Sequence, residues 1–357
     1  MWQLNADHLQ LATMNTIYLP PEWAKQSAIL LTWPHKQSDW APLLAQVDKT
    51  FVDIAKAISR YEQVIVACFN QAHEEHVWYQ LKNTDCILDN ISLFVSPSND
   101  CWVRDHGPIS VFNGTHVVLL DFSFNGWGNK FDATLDNRVS LELHKLGAFK
   151  VAPIESKDFV LEGGSVEVDG KGGILTTTSC LLARSRNPGK SQAQIETQLM
   201  QEFGVNRFYW LHHGHLSGDD TDGHIDTLAR FTDEHTIAYS ACDDPQDEQF
   251  ASLKKMEQEL LHFRDWNGQP FKLVPLLIPK PIHDASGQRL PANYANFLII
   301  NSAVLVPTYN DPADQFAIKH LKRCFIDRKI ISVDCLTLIQ QAGSLHCATM
   351  QIPLAPL

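Results

Sequence analysis

The stretch ISVFNGTHVVLLDF, residues 109–122, shows a pattern that recurs along the chain and indicates its fold. Two apolar segments, Ile109–Phe112 and Val117–Phe122, flank the pair Asn113-Gly114, which is a strong signal for a tight turn between antiparallel strands. The same pattern of two apolar strands around a polar turn occurs again at 165–177, 227–240 and 297–307. The sequence therefore predicts a series of β-hairpins.

Each predicted hairpin is followed by a stretch of helical character and then by another apolar strand. The helices are predicted over 135–146, 191–203, 246–263 and 312–324, and the strands that follow them over 149–152, 207–211, 271–277 and 329–333. Ser191 and Gln194 resemble a capping box at the start of the second helix. The N-terminal part fits the same unit more loosely, with strands at 27–33 and 63–69 around a helix near 42–59.

The spacing of these units suggests how they are arranged. Hairpins about 55–70 residues apart indicate an internally repeated α/β fold, and a radial arrangement would protect the edges of the sheets. No linker, low-complexity stretch or block of charge divides the sequence. We therefore expect one compact domain over residues 1–357.

The composition excludes several classes of protein. The chain has 357 residues, of which 44% are hydrophobic and 20% charged, as in an ordinary globular protein rather than a disordered one. It has 29 Lys and Arg against 41 Asp and Glu, which gives a formal net charge of −12. This charge disfavours binding to nucleic acid or to an anionic membrane and is compatible with a cationic substrate.

The cysteines and the N-terminus predict the cellular compartment. The eight cysteines are scattered without a CxxC pair, so neither a zinc ribbon nor a small disulfide scaffold is indicated. Residues Met1–Glu22 lack the basic start, apolar stretch and cleavage site of a signal peptide, and no apolar run approaches the ~20 residues of a membrane helix. We expect a cytoplasmic protein with reduced thiols.

The segments richest in reactive side chains lie just before the hairpins or near the C-terminus. They are Trp102–Pro108, Glu162–Gly164, Gly218–Asp226, Asn293–Asn296 and Gly343–Cys347. If the units surround an axis, equivalent loops meet at its centre, where a thiol, an imidazole, three carboxylates and an amide would converge. A structural role is the alternative for each residue, since most cysteines are simply buried and Asp105 could pair with the adjacent Arg104.

A metal site is the main rival interpretation of one segment. Eight side chains that could bind zinc lie in one short stretch: His212, His213, His215, Asp219, Asp220, Asp222, His224 and Asp226. However, HEXXH is absent and the spacing does not fit an EF-hand loop. Neither GxxxxGK[ST] nor GxGxxG occurs, which leaves nucleotide binding without support.

Taken together and in this order, the motifs resemble the agmatine deiminase family of the guanidine-modifying deiminase (pentein) superfamily, which includes bacterial peptidylarginine deiminase-like proteins. The resemblance runs nearly end to end, through Pro20–Trp23, Leu31–His35, Trp102–Pro108, Leu161–Asp169, Gly218–Phe231, Tyr294–Phe297 and His346-Cys347. It implies a five-bladed α/β propeller of pseudo-symmetric ββαβ units, which agrees with the predicted repeat, and a single catalytic deiminase domain.

The resemblance also implies roles for seven residues. Cys347 matches the nucleophile, His224 the general acid/base, and Glu162 the carboxylate that orients the histidine. The substrate-binding residues that it implies are the guanidinium-binding pair Asp105 and Asp226, the pocket-wall aromatic Trp102, and the amide Asn296, for which Asn293 is the alternative.

The implied activity is hydrolysis of agmatine to N-carbamoylputrescine and ammonia through a covalent cysteine thiouronium, in putrescine biosynthesis or agmatine catabolism. No metal or organic cofactor is required, the partner is a small cationic substrate rather than nucleic acid or a membrane, and a homodimer is left open. The alternatives are deimination of free arginine or peptidyl-arginine, a metal-dependent hydrolase, and a non-catalytic guanidine-binding protein. The complete Cys-His-Asp-Glu set disfavours the last of these.

The sequence departs from the family pattern at three places. The segment Gln341–Leu345 replaces a Gly-rich run that usually ends in Asn-Ile, Thr349–Gln351 lacks the usual Gln pair, and Asn293 replaces a more usual Ser or Thr. We expect these changes to affect the loops around the far end of the substrate more than the chemistry.

Overall fold

The structure is a computed structural model that describes residues 17–355. Most of Met1–Glu22, on which the signal-peptide prediction rests, therefore lies outside the described residues, as do residues 356–357 of the expected domain. Within 17–355 the chain forms a mixed α/β fold with five small sheets of three or four strands. Among these residues, none of the helices combines the length and the apolar character that a membrane span requires.

The described chain consists of strands and α-helices joined by loops and short 3-10 turns. The strands are β1 (Ile17–Tyr18), β2 (Gln26–Thr32), β3 (Gln63–Cys68), β4 (Ile91–Val95), β5 (Ile109–Asn113), β6 (His116–Ser123), β7 (Ile154–Val160), β8 (Glu167–Val168), β9 (Gly173–Thr177), β10 (Arg207–Leu211), β11 (Ala229–Asp233), β12 (Thr236–Ala241), β13 (Lys272–Leu277), β14 (Leu298–Ile300), β15 (Ala303–Thr308), β16 (Lys329–Asp334) and β17 (Met350–Pro353). The helices are α1 (Leu44–Ser59), α2 (Gln71–Lys82), α3 (Val103–His106), α4 (Gly126–Asn129), α5 (Val139–Lys145), α6 (Thr178–Leu181), α7 (Gln192–Phe203), α8 (Phe250–His262) and α9 (Ala313–Cys324).

Four of the five sheets repeat one ββαβ unit. In each unit two strands pair antiparallel as a hairpin, and a helix then leads to a third strand that runs parallel to the second. The units are β5-β6-α5-β7, β8-β9-α7-β10, β11-β12-α8-β13 and β14-β15-α9-β16. The predicted hairpins and the predicted repeat are therefore confirmed.

The fifth sheet joins the two ends of the described chain. Strand β17 pairs antiparallel with β2, so that Met350 lies opposite Leu30. Helix α1 leads from β2 to the parallel strand β3, and α2 leads on to β4, which is parallel to β3. The sequence analysis does not predict α2 or β4. Helix α2 is mainly polar and buries only Val77 and Leu81, so its apolar periodicity is weak.

Local signals account for the turns and helix ends that the sequence does predict. In the turn between β5 and β6, Gly114 has a φ of 61°, a left-handed conformation that glycine adopts without strain. At the start of α7 the Ser191 hydroxyl accepts a hydrogen bond from the backbone N–H of Gln194, whose side chain accepts one from the Ser191 N–H. The predicted capping box is thus confirmed.

The strand predicted at 149–152 is wrong. These residues belong to a turn in which Gly147 and Lys150 have φ values of 78° and 56°. The strand that pairs with β6 is β7, which starts at Ile154. Strand β7 lies at the edge of its sheet and most of its side chains are exposed or half-buried. An apolar run is a poor guide to such a strand, because polar side chains are favoured at sheet edges.

The sheets contact one another in a cyclic order. Strand β17 contacts β5, α7 contacts β1, β11 contacts β8, α9 contacts β13, and α1 contacts β16. Helix α3 also contacts the 3-10 turn Gly163–Ser165, which in turn contacts the 3-10 turn Ile225–Thr227. The polar segments before the hairpins therefore meet inside the molecule. The mixed α/β fold agrees with the expected class, whereas the five-bladed propeller stays a prediction.

Candidate active site

Five short segments bring the predicted site residues together in the interior. The segments are helix α3 with the residue before it, the 3-10 turns Gly163–Ser165 and Ile225–Thr227, and the loops before β14 and β17. All seven predicted site residues are buried: Trp102, Asp105, Glu162, His224, Asp226, Asn296 and Cys347. Because water cannot solvate these groups fully, each depends on its protein neighbours for charge compensation.

The thiol of Cys347 lies against an amide and a carboxylate. Its Sγ is 3.3 Å from Nδ2 of Asn296, 3.4 Å from Oδ1 of the same side chain, and 3.7 Å from Oδ2 of Asp226. Burial raises the pKa of the Cys347 thiol well above its usual value, and the Asp226 and Asp105 carboxylates raise it further. A positive charge bound next to these carboxylates would therefore favour the reactive thiolate.

Both oxygens of Asp105 are held by hydrogen bonds. Oδ2 accepts one from the indole Nε1 of Trp127 at 2.9 Å, and Oδ1 accepts one from the backbone N–H of Gly164 at 3.0 Å. Burial raises the pKa of Asp105, although the nearby His224 offsets part of that effect. The carboxylate plane is thus fixed before any ligand binds.

Asp226 has one oxygen occupied and one oxygen free. Oδ2 accepts hydrogen bonds from Nδ1 of His346 at 2.8 Å and from Nδ2 of Asn296 at 3.2 Å. Oδ1 is buried and has no hydrogen-bond partner among residues 17–355. Burial alone would raise the pKa of Asp226, but the hydrogen bond and charge of His346 outweigh it and lower the pKa. Asp226 therefore offers an ionised carboxylate with an unused acceptor.

His224 lies between two carboxylates and a thiol. Its Nδ1 is 3.5 Å from Oδ1 of Asp105, and ligand-type atoms of Glu162 and Cys180 lie within 4.8 Å of a ring nitrogen. Burial tends to lower the pKa of His224, but Asp105 and Cys180 outweigh it, so the pKa is well above the usual value. Neither ring nitrogen has a hydrogen-bond partner in the described part of the chain. A protonated ring with unused donors is suited to act as a general acid.

Glu162 is anchored by a buried arginine. Its Oε1 accepts a hydrogen bond from Nε of Arg186 at 3.0 Å, whereas its buried Oε2 has no partner within residues 17–355. Arg186 also donates to Asp222 and to the backbone oxygen of Thr221. The loop before His224 and the Glu162 carboxylate are therefore held by one guanidinium.

The second glycine of the Gly-Gly pair, two residues after Glu162, is required by its close neighbours. A Cβ added to Gly164 would lie 2.6 Å from Nδ1 of His224, 2.8 Å from Oδ1 of Asp105 and 3.2 Å from Oδ2 of Asp226. Contacts below 3.0 Å are essentially forbidden for a real Cβ, so only glycine fits here. The backbone of Gly164 thus lies where the imidazole and both aspartates converge.

A cavity of about 290 Å³ is lined by three of the seven predicted site residues. Trp102, Asp105, Trp127 and Cys347 are among the residues that line it. The remaining described lining residues are Asp39, Asp100, Phe131, Gly218, Asp220, Thr221, Asp284, Gln288, Leu290, Gln340, Gln341, Ala342 and Gly343. Burial raises the pKa of Asp220 to about 6, and Asp219 adds to this effect. The described lining contains four aspartates besides Asp105 and no lysine or arginine.

The three departures from the family pattern lie in different places. Gln341–Gly343 line the cavity, as expected. Met350 and Gln351 instead line a separate cavity of about 50 Å³ next to His346. The side chain of Asn293 donates to the backbone oxygen of Pro291 and accepts from the backbone N–H of Asn296. Asn293 therefore holds the loop, and Asn296 is the amide that contacts Cys347.

The sequence analysis missed several residues that support the site. The indole of Trp127 binds Asp105, and nothing in its Gly-Trp-Gly context indicates that contact. Arg104 does not pair with Asp105; its Nη1 donates to Oε1 of Gln351 at 2.6 Å. His346 contacts Asp226 through a hydrogen bond. No sequence motif precedes it. The signal that could have found it is its position next to the proposed nucleophile.

The stretch of histidines and aspartates at 212–226 does not gather around one point. His213 pairs with Glu259, and Asp222 pairs with Lys130 and Arg186. Within residues 17–355 the single group of three side chains close enough to hold a metal is Glu162, Cys180 and His224. The metal interpretation of the stretch as a whole is therefore wrong, and any metal chemistry would have to use two of the predicted catalytic residues.

Comparison with known proteins relates the chain to guanidine deiminases. A sequence model described as Porphyromonas-type peptidyl-arginine deiminase matches residues 18–353. The agmatine deiminase of Pseudomonas putida is 33% identical to this chain, over 94% of this chain and 95% of its own. Agmatine deiminases are hydrolases that act on a C–N bond of a guanidine group.

Two solved structures are similar along nearly the whole chain. The C. jejuni agmatine deiminase, as a Cys-to-Ser variant with substrate bound, has a TM-score of 0.88 and 39% identity over 95% of this chain and 97% of its own. A candidate arginine deiminase from Porphyromonas gingivalis has a TM-score of 0.89 and 47% identity over 95% of this chain and 99% of its own. Because the family model spans nearly all of the described residues, the chain belongs to the Porphyromonas-type peptidyl-arginine deiminase family.

Proposed function

We propose that this chain is an agmatine deiminase that hydrolyses agmatine to N-carbamoylputrescine and ammonia through a covalent intermediate on Cys347. The main support is the convergence of groups around Gly164. Oδ1 of Asp105 and Oδ2 of Asp226 both lie within 3.2 Å of one point, the position of a Cβ on Gly164, so they are within about 6 Å of each other. The thiol lies beside one of them and the imidazole beside the other.

The two aspartates bind the guanidinium group. A guanidinium is planar and presents several N–H donors, which pair well with carboxylates in bidentate fashion. The free Oδ1 of Asp226 accepts one donor, and Asp105 accepts others through the remaining lone pairs of its two oxygens. This pairing fixes the central carbon next to Sγ of Cys347 and offsets the positive charge of the substrate.

Substrate binding activates the nucleophile. The two carboxylates raise the pKa of the Cys347 thiol in the free protein, as burial does. The bound guanidinium neutralises their effect, so that the thiol loses its proton to solvent and the resulting thiolate attacks the central carbon. A C–S bond forms, and the carbon becomes tetrahedral.

His224 then moves the protons. The imidazolium gives a proton to one amino group of the tetrahedral adduct, the C–N bond breaks, and ammonia leaves. The product of this half-reaction is a cationic thiouronium on Cys347. A water molecule that loses its proton to His224 attacks this carbon, the C–S bond breaks, and the ureido product leaves with the thiolate restored. Glu162, held by Arg186, keeps the ring in place and stabilises its charged form.

The cavity lining favours agmatine over arginine. Free arginine carries an α-carboxylate, which would need a cationic partner, whereas agmatine ends in an ammonium group. Among the described residues that line the cavity are Asp39, Asp100, Asp220 and Asp284, but no lysine or arginine. Carboxylates attract an ammonium and repel a carboxylate, so the far end of the cavity suits agmatine. The indoles of Trp102 and Trp127 suit its methylene chain.

The proposal extends to the architecture and the setting. The cyclic order of contacts among the five sheets supports a five-bladed propeller with the site at its centre. The proposal treats residues 1–357 as one catalytic domain. It also includes a cytoplasmic location, which the eight unpaired cysteines within residues 17–355 favour. N-carbamoylputrescine would then serve putrescine formation or agmatine breakdown.

A substrate comparison tests the proposal. Ammonia and ureido product are measured with agmatine, free arginine and an arginine-containing peptide, each with and without a chelator, and Cys347→Ala is the matched control. We expect turnover of agmatine that the chelator does not change and that the control lacks. Preference for arginine or for the peptide would assign another guanidine substrate. Loss of activity with chelator and recovery with zinc would assign the chemistry to a metal at Glu162, Cys180 and His224, and binding without turnover would indicate a non-catalytic protein.

A further inference from the structure

His346 lies between two buried carboxylates. Its Nδ1 is 2.8 Å from Oδ2 of Asp226, and its Nε2 is 2.6 Å from Oε2 of Glu22. The ring is buried at 2% exposure. Each ring nitrogen thus has one acceptor, and the two acceptors lie on opposite sides of the ring.

Both carboxylates act as acceptors for other donors as well. Oε2 of Glu22 also accepts a hydrogen bond from Nη2 of Arg230 at 2.7 Å, and Oε1 accepts one from the backbone N–H of Ile299 at 2.7 Å. Oδ2 of Asp226 also accepts from Asn296. Because both oxygens of Glu22 accept hydrogen bonds from donors, the carboxyl group is ionised. A neutral imidazole has one N–H and could satisfy only one of the two acids, whereas an imidazolium satisfies both.

Charged groups surround the ring and its two carboxylates. Arg230 pairs with Glu22 and, through its Nε at 2.7 Å, with Glu167. Arg104 lies 3.9 Å from Glu22, and its Nε donates to the backbone oxygen of His346. Arg328 and Glu62 also act electrostatically on Glu22. The contacts of Arg230 and Arg104 fix Glu22 and the backbone of His346 in place.

We propose that His346 is a positioning residue, hydrogen-bonded between Asp226 and Glu22, that fixes Oδ2 of Asp226 so that Oδ1 stays available for a guanidinium. This role goes beyond the seven predicted site residues and rests on the proposed function, because it assigns the ligand of Asp226. The ring does not touch the substrate. It acts through Asp226 and holds the orientation of that carboxylate.

Two substitutions separate the two ends of the ring. The amide nitrogen of Asn occupies the position of Nδ1, and that of Gln the position of Nε2, so His346→Asn keeps a donor to Asp226 and His346→Gln keeps one to Glu22. Each variant removes one donor from one of the two acids, so we expect similar losses of thermal stability. If the role is to hold Asp226, His346→Asn binds guanidines within about threefold of the parent, and His346→Gln binds them about tenfold or more weakly.

The measurement is calorimetric binding of agmatine and of guanidinium ion in a Cys347→Ala background, with His35→Asn, a buried histidine outside the site, as the control. Equal affinities of the Asn and Gln variants at equal stability would overturn the proposal. Turnover of agmatine by the parent enzyme is measured separately. A parent that binds guanidinium but does not convert agmatine would refute the proposed function and leave this test intact.

A spectroscopic measurement on the His346 ring itself tests the proposal if the variants do not fold. In the ¹⁵N spectrum of the full chain labelled at histidine, we expect Nδ1 of His346 to carry a proton, as the donor to Asp226 must. An unprotonated Nδ1 would overturn the proposal.

Discussion

Asparagine at position 105 or 226 removes one negative charge from the proposed guanidinium site with almost no change in shape. At Asp105 both oxygens accept N–H donors, from Trp127 and from Gly164, so an amide must turn its NH₂ towards one of them. At Asp226 the donors His346 and Asn296 hold the amide oxygen on their side, which points the NH₂ group at the substrate cation. Each change therefore removes an acceptor and adds a misplaced donor.

The size of the effect follows from the bond that is lost. A hydrogen bond to a charged group is worth about 1.5–3 kcal/mol, and a buried cation without its full compensation adds to the loss. Since 1.4 kcal/mol is tenfold, we expect agmatine affinity to fall on the order of 10²-fold in each variant. The two losses should not add in the double variant, because both residues hold the same group.

The assay is agmatine affinity in a Cys347→Ala background, which separates binding from chemistry. The matched control is Asp48→Asn, since Asp48 is also buried and also accepts from an indole, that of Trp33 at 2.7 Å, but lies outside the site. Asp48→Asn should bind agmatine like its parent. If Asp105→Asn and Asp226→Asn also bind agmatine as tightly as the parent, these aspartates are not the guanidinium site and the assignment of the cavity is wrong.

The remaining predictions concern the nucleophile, the central glycine, the pH profile and one buried acid. Cys347→Ser should retain agmatine binding and lose turnover, because serine has no accessible anion at neutral pH; full activity would refute the nucleophile. Gly164→Ala should lower kcat/KM by about 10²-fold or more, because its Cβ would lie 2.6 Å from His224; normal activity in a folded variant would contradict the close approach. Since the pKa of His224 lies above 6.5 and that of the Cys347 thiol above 9.0, kcat/KM should rise with pH through neutrality and fall only where His224 loses its proton; a maximum below pH 6.5 would contradict these directions. Burial raises the pKa of Asp136 from 3.8 to about 8, so the folded state binds this proton more tightly and loses stability as pH rises through that window. Asp136→Asn should therefore raise Tm at pH 8 and not at pH 4, and an equal change at both values would contradict the assignment.

The repeat was predictable because its signals are local. Turn residues such as Asn113-Gly114 and the capping box at Ser191 determine structure within a few positions, and the helices bury regular apolar faces. The strand at 154–160 was not predictable in the same way. Its place depends on pairing with β6, more than 30 positions away, and its side chains are mainly polar. An edge strand is defined by its partner rather than by its own apolar pattern.

The site shows the same division. The sequence predicted Cys347, His224 and the aspartates because they occur in compact motifs, but it predicted neither the Trp127 contact to Asp105 nor the true partners of Arg104. Because Arg104 and Asp105 are adjacent in the sequence, an ion pair between them was the structural alternative for Asp105. Helix α3 instead directs the two side chains to different neighbours, Gln351 and Trp127. Neighbours in sequence on a helix do not face each other, so the pairing had to be found in space.

The buried charges under the site suggest why the N-terminal motif carries a glutamate. Glu22 follows two prolines in the first motif that carries the family resemblance, and it accepts hydrogen bonds from Arg230, His346 and the backbone of Ile299. It therefore joins the start of the described chain to the sheet that contains β14 and, through His346, to Asp226. Replacing Glu22 by Gln would remove one negative charge and change the acceptor that faces Nε2 of His346. Because the contacts of Glu22 span sequence separations of more than 200 residues, these distant segments must come together before Asp226 can present a free oxygen. The substrate site is in this sense a product of the completed fold rather than of any single loop.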